Sequence, residues 1–219
     1  PHGVLFWRSF THWVGGMGVL VFVMAIIPLA GARSVYLMRA ESPGPSVGKL
    51  VPKMRSTAMI LYGIYILLTV LEVILLKLGG MPLFDCLVNS FGSVGTGGFA
   101  IKTESIAYYD SAYVDIVITV FMILCGTNFN LFYLLLTGHV LQVLKSEELR
   151  WYLGIILVST LAITYDILSM YENIAQALRY AVFQVSSIIT TTGFATADFN
   201  LWPPLSRTIL VVLMVLGAC

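Results

Sequence analysis

Charge is what this sequence has least of. Asp, Glu, Lys and Arg together make up 11% of its 219 residues, whereas 58% are hydrophobic and the mean hydropathy is +0.92. A soluble domain carries roughly 25% charged residues because its surface must be hydrated. A chain with less than half that share is excluded from the ordinary soluble class and points to lipid as its solvent. The same apolar surplus excludes intrinsic disorder. With a net charge of +1 there is no global field for a polyanion, so nucleic acid is not an expected partner. Cysteine is scarce too. Cys86, Cys125 and Cys219 show no CxxC spacing and no paired histidines, which favours buried thiols over metal or disulfide chemistry. The chain begins at Pro1 without a secretory leader and stops at Cys219 within an apolar run, as an internal piece of a longer membrane protein would.

The few charges punctuate the chain at membrane intervals. Arg8 and Arg33 enclose 24 uncharged residues, and Asp115 and Lys145 enclose 29, against the roughly 20 needed to cross a bilayer. The pattern predicts five spans, at residues 9–30, 56–77, 112–137, 150–168 and 203–219. Between the first two, Arg33, Arg39, Lys49, Lys53 and Arg55 face Glu41 alone, which assigns that loop to the cytoplasm. Alternation then sends the segments from Lys77 to Asp110 and from Asp166 to Trp202 outside. Both are apolar, yet too interrupted by glycine, serine, threonine and proline to be plain spans. Each can hold a short helix, Met81 to Phe91 and Glu172 to Ile188, running into a small polar stretch. That outline predicts a re-entrant loop entering from the extracellular side, where non-helical backbone is satisfied by protein or water.

An internal repeat supports this. Gly98-Phe99-Ala100 recurs 95 residues later as Gly193-Phe194-Ala195, and the approach from Asp85 to Val94 lies over Arg179 to Ile188. The repeated unit is helix, pore loop, helix. Its loops read Ser93-Val94-Gly95-Thr96-Gly97-Gly98-Phe99 and Thr190-Thr191-Thr192-Gly193-Phe194. An alkali cation leaving water exchanges its hydration oxygens for others, and backbone carbonyls with threonine hydroxyls supply them without a fixed charge that would trap it. Glycine lets successive carbonyls converge. Neither stretch holds Asp, Glu or His, which argues against a divalent site. Small residues also serve as helix packing surfaces in membranes. Two copies at matching places after pore-like helices favour the ion site.

Thr191-Thr192-Gly193-Phe194 looks like a degenerate Thr-Val-Gly-Tyr-Gly potassium filter. With Trp7-Arg8-Ser9, Trp13-Val14-Gly15-Gly16-Met17-Gly18, Gly80 to Ala100, Gly126-Thr127-Asn128-Phe129-Asn130 with Tyr133, and Ser187 to Thr196, the whole chain resembles the Trk/Ktr/HKT superfamily of potassium transporters, most closely its bacterial Trk branch. The resemblance implies an all-α transmembrane fold and about half of a four-repeat subunit. Residues 1–55 would be the second helix of repeat one with a cytoplasmic loop. Residues 56–147 would be repeat two with its pore loop at 81–100, and residues 148–219 a truncated repeat three with its loop at 172–196. It further implies potassium as the transported ion, a homodimer in the cell membrane, and a cytoplasmic ring of nucleotide-binding regulatory subunits. Anchoring on Gly-Phe, rather than on Ser93-Val94-Gly95-Thr96-Gly97, makes the carbonyls of Gly95, Thr96, Gly97 and Gly98 and of Thr190, Thr191, Thr192 and Gly193 the expected ion ligands. Changes such as Gly98→Ser are expected to impair potassium preference more than folding.

Other residues are read more plainly. Glu72 and Lys77 suit interface snorkelling, Asp115 and Asp166 solvated helix ends, and Arg207 surface anchoring. Asn128 and Asn130 face opposite sides of their helix, so at most one can point at a pore, and interhelical hydrogen bonding is an equal reading. His12 and His139 are isolated and read as structural or surface residues. Gly15-Gly16-Met17-Gly18 lacks the strand of a nucleotide fold and suits close helix packing. Two other functions compete: a secondary carrier with broken helices, and an intramembrane hydrolase with Ser93 or Ser187 as nucleophile, whose nearest histidines are assigned to other spans.

Overall fold

The computed structural model describes residues 2–16, 18, 54–136 and 138–217. Their regular structure is helical, with no strand among them: α1 (His2–Gly16), α2 (Met54–Leu78), α3 (Leu83–Val94), α4 (Ala112–Cys125), α5 (Phe129–Leu136), α6 (Val140–Leu144), α7 (Glu147–Ile167), α8 (Ile174–Ile189) and α9 (Pro204–Gly217). Two helical stretches, Met59–Leu78 and Glu147–Met170, are long and apolar enough to cross a membrane. The predicted first span starts earlier than expected, at His2. Its part beyond Gly16, except Gly18, lies outside the described residues, as does most of the loop predicted to be cytoplasmic.

The stretch 112–137, expected as one helix, is broken. α4 and α5 meet at 90° around Gly126, Thr127 and Asn128. Hydropathy measures apolarity and not direction, so this bend left no mark on the span prediction. Gly126 ends α4, and Asn128 takes over as the start of α5, its Oδ1 accepting from Asn130 N–H at 3.0 Å.

Polar side chains start several helices. Ser111, Ser146 and Asn173 accept from the backbone N–H of Val114, Leu149 and Gln176, satisfying donors the first turn leaves free. α9 opens on Pro204, whose missing N–H costs nothing there. Asp166, expected to be solvated, caps it instead: its Oδ2 accepts from Ser206 N–H at 3.0 Å and Ser206 Oγ at 2.6 Å. Asp166→Ala is therefore expected to destabilise the protein by about 1–2 kcal/mol. The check is the thermal midpoint of the detergent-purified protein, and an unchanged midpoint would refute the cap.

The short helices occupy the interior. α3 packs against α1, α2 and α4, and α8 against α4, α7 and α9. With 12 and 16 residues they rise about 18 and 24 Å, short of the roughly 30 Å hydrocarbon core. One apolar cluster joins Tyr65, Leu76, Cys86, Ile118 and Met122 to Phe183 and Phe194, so the two units share a core; a second gathers Ile163, Ile167, Ala181, Val185 and Leu210. Cys86 and Cys125 are buried free thiols. On α2, Ile66, Leu67, Val70, Leu71 and Ile74 stay exposed, as a lipid-facing surface requires.

Candidate functional site

The two loops that follow α3 and α8 share one backbone. Gly95 N–H bonds Phe91 O at 3.1 Å, Thr96 N–H bonds Ser93 O at 3.1 Å and Gly98 N–H bonds Gly92 O at 3.1 Å; 95 residues on, Thr190 bonds Ser186 at 3.1 Å, Thr191 bonds Ile188 at 3.0 Å and Gly193 bonds Ser187 at 3.2 Å. The helix ends obey the same offset, Val94 with Ile189. The approach helices thus align one residue away from the sequence pairing of Val94 with Ile188. The mixed apolar and small residues of both stretches had left that register loose.

Left-handed backbone recurs at every second position. Thr96 (φ 54°) and Gly98 (φ 59°) match Thr191 (φ 58°) and Gly193 (φ 88°), while Gly97 and Thr192 between them keep negative φ. Threonine, branched at Cβ, is a rare occupant of this region, and holding it there costs on the order of 1–3 kcal/mol. Two such threonines at equivalent places mark a geometry the surrounding structure enforces. Alternating the sign of φ turns successive peptide planes to a common side, which a helix or an extended strand does not do.

The loops also touch. A Cβ on Gly98 would run into the backbone carbonyl of Thr192. Beyond the loops, Ala195 O accepts from the N–H groups of Ile106 and Ala107, both at 3.2 Å, and Ala195 N–H donates to Ser105 Oγ at 3.2 Å. The return from the first loop is tied to its own helix by Tyr109, whose hydroxyl donates to Asp85 Oδ2 at 2.6 Å. Burial, then the bond to Asp85, pushes the Tyr109 phenol above the usual tyrosine range, keeping the donor protonated.

Several residues that the sequence left aside gather at these loops. His12 on α1 donates through Nε2 to Gly95 O at 3.0 Å and packs edge-on to Phe99, with ring centroids 5.2 Å apart. Arg8, one turn earlier, donates to Ala100 O at 3.1 Å and lies 4.7 Å from the Phe99 ring centre. Their distances in sequence, 83 and 92 residues, hid both. Glu72 is no interface residue: it is 0% exposed and accepts from Ser93 Oγ at 2.5 Å, while Lys77 is exposed as expected. Asp115 is buried too, in an ion pair with Arg179 of α8 at 3.4 Å. Asn128 Nδ2 donates to Glu148 at 3.4 Å across to α7, so it serves the bend and an interhelical bond. His139 and Arg207 are exposed.

Glycines let the neighbouring helices reach the loops. A Cβ on Gly16 would lie 2.8 Å from Gly95 Cα, and one on Gly126 would lie 2.5 Å from Thr190 Cγ2. The end of α1 therefore abuts the end of α3, and the end of α4 abuts the end of α8. The candidate nucleophiles of a hydrolase are engaged otherwise. Ser93 and Ser187 are fully buried, the one donating to Glu72 and the other to Phe194 O at 2.6 Å.

Known proteins resemble this chain in sequence and in fold. The family model described as TrkH, cation transport protein, matches residues 1–219. The Trk system potassium uptake protein TrkH of Salmonella typhimurium is 36% identical over 225 residues, covering 100% of this chain and 46% of the relative. TrkG of Escherichia coli, named likewise as a Trk system potassium uptake protein, is 32% identical with the same coverage. The crystal structure of the potassium transporter TrkH from Vibrio parahaemolyticus superposes with a TM-score of 0.79 at 31% identity, over 97% of this chain and 43% of that one. The chain thus spans about half the length of the curated relatives it matches. With helices and no strand among its described residues, and matched along its whole length by that family, the chain belongs to the TrkH family of cation transport proteins.

Proposed function

We propose that this chain forms part of the pore-lining subunit of a Trk-type potassium uptake system, and that its two glycine and threonine loops are two sides of a carbonyl selectivity filter. One observation carries the reading: the same strained, alternating backbone occurs twice, 95 residues apart, at the C-terminal ends of two short buried helices. Those ends carry the negative pole of the helix dipole, which favours a cation beyond them. Carbonyls of Thr96, Gly97 and Gly98 and of Thr191, Thr192 and Gly193 replace hydration oxygens without a carboxylate that would hold the ion too tightly. Gly95 and Thr190, also expected as ligands, stand at the helix ends; the Gly95 carbonyl accepts from His12, which suits a supporting role. Potassium is the ion named for the relatives.

The finer organisation follows the same reading. Residues 1–55 complete a first repeat, 56–147 form a second and 148–219 open a third, with loops entering from the extracellular face because the basic loop before α2 is cytoplasmic. A homodimer and a cytoplasmic nucleotide-binding regulatory subunit are the partners the family resemblance implies. The test is rubidium or potassium uptake by the intact protein in a cell that lacks its own potassium uptake systems. Restored uptake with preference over sodium is expected; failure to carry either ion would overturn the proposal.

A further inference from the structure

The two loops share a backbone but are held differently. In the second, Ser187 Oγ donates to Phe194 O at 2.6 Å, Thr190 Oγ1 donates to Ser186 O at 2.7 Å, and the Thr190 and Thr192 hydroxyls bond each other at 2.8 Å. At the matching positions the first loop has Gly92, Gly95 and Gly97. None can make these bonds, and three glycines add backbone freedom. Beyond the backbone bonds that both loops make to their own helices, the side chains that hold the first loop come from outside it, from Arg8 and His12 on α1 and, through Ser93, from Glu72 on α2.

Resting on the filter reading, we propose that Glu72 is the positioning residue of the first loop. Its Oε1 accepts from Ser93 Oγ, and the carbonyl of Ser93 accepts the N–H of left-handed Thr96 at 3.1 Å, so the carboxyl is linked to the filter through a single residue. The second unit has Ile188 in place of Ser93 and makes no such link. Glu72 is wholly buried, and its Oε2 has no hydrogen-bond partner among the described residues. A half-satisfied buried carboxyl is costly to keep, and sequence choices that break a local rule concentrate where function requires them. The acceptor oxygen is what the loop uses, and a glutamine amide also supplies one.

The test compares Glu72→Gln, Glu72→Leu and Ser93→Ala in the intact transporter, reading the ratio of potassium to sodium uptake at measured membrane abundance. Glu72→Gln is expected to keep that ratio within about twofold, because the acceptor remains. Glu72→Leu and Ser93→Ala are each expected to lower it roughly tenfold, the value of one hydrogen bond to a charged or strongly polar group. The double variant should lose no more than either single one. If Glu72→Leu does not accumulate, Ser93→Ala, which removes only a hydroxyl, decides. A wild-type ratio in Ser93→Ala, or a loss in Glu72→Gln as large as in Glu72→Leu, overturns the proposal. A wild-type protein that carries neither ion overturns the uptake reading itself, before any variant is compared.

Discussion

Replacing Gly98 by alanine is expected to reduce potassium uptake by about a hundredfold or more while the protein still reaches the membrane. Two effects act at one atom. At φ 59° any side chain brings strain of roughly 1–2 kcal/mol. The new Cβ also points at the Thr192 carbonyl, with Thr192 C at 2.9 Å and Gly193 C at 3.0 Å. These are backbone atoms of the other loop, which cannot rotate aside as a side-chain tip can. Relief requires the loops to part, and overpacking of this kind adds about 1–3 kcal/mol. The displaced atoms are the proposed ion ligands, so conduction suffers before the helices do. Gly154→Ala is the control: on α7 nothing lies within 4 Å of its Cβ, and a helical alanine is favoured over glycine by up to about 1 kcal/mol. Rubidium uptake normalised to membrane content checks both. Equal uptake in the two variants would mean that the loops do not conduct.

How far the sequence discloses this arrangement depends on the range of each signal. The helices are legible because charges and apolar runs are local, and the non-helical stretches after α3 and α8 because Gly-Phe-Ala occurs twice and small residues interrupt apolar stretches. The repeat even fixed which glycines correspond, since positive φ returns at Gly98 and Gly193. Signals that depend on a distant partner are silent. Glu72 and Asp115 looked like residues of helix ends because Ser93 and Arg179, the groups that accept them into the interior, are 21 and 64 positions away. His12 looked solitary because the group it binds is a carbonyl, which every residue has. Gly126 was read inside an apolar helix, and only the Thr190 and Tyr152 side chains pressed against it reveal why a glycine stands there.

The second large effect is expected at Arg179. Its Nε stands 3.4 Å from Asp115 Oδ2, joining α8 to α4. The two side chains are 22% and 6% exposed. Removing one partner of a buried pair leaves a charge with neither water nor counter-ion, and costs about 3–5 kcal/mol when burial is complete. The partial exposure of Arg179 makes the two removals unequal. Without Asp115, the guanidinium keeps the Tyr180 hydroxyl at 3.2 Å, the Tyr180 ring 4.9 Å away, and a route to water. Without Arg179, Asp115 keeps no charge partner among the described residues. Arg179→Met is therefore expected to lower the thermal midpoint of the purified protein by several degrees, and Asp115→Asn by less. Asp115→Leu combined with Arg179→Met should recover part of the loss, because an apolar pair of similar volume pays no desolvation. With Asp115→Leu also measured alone, a double variant as unstable as the sum of Asp115→Leu and Arg179→Met would mean that the charges do not interact, and α8 would then be held to α4 by apolar packing alone.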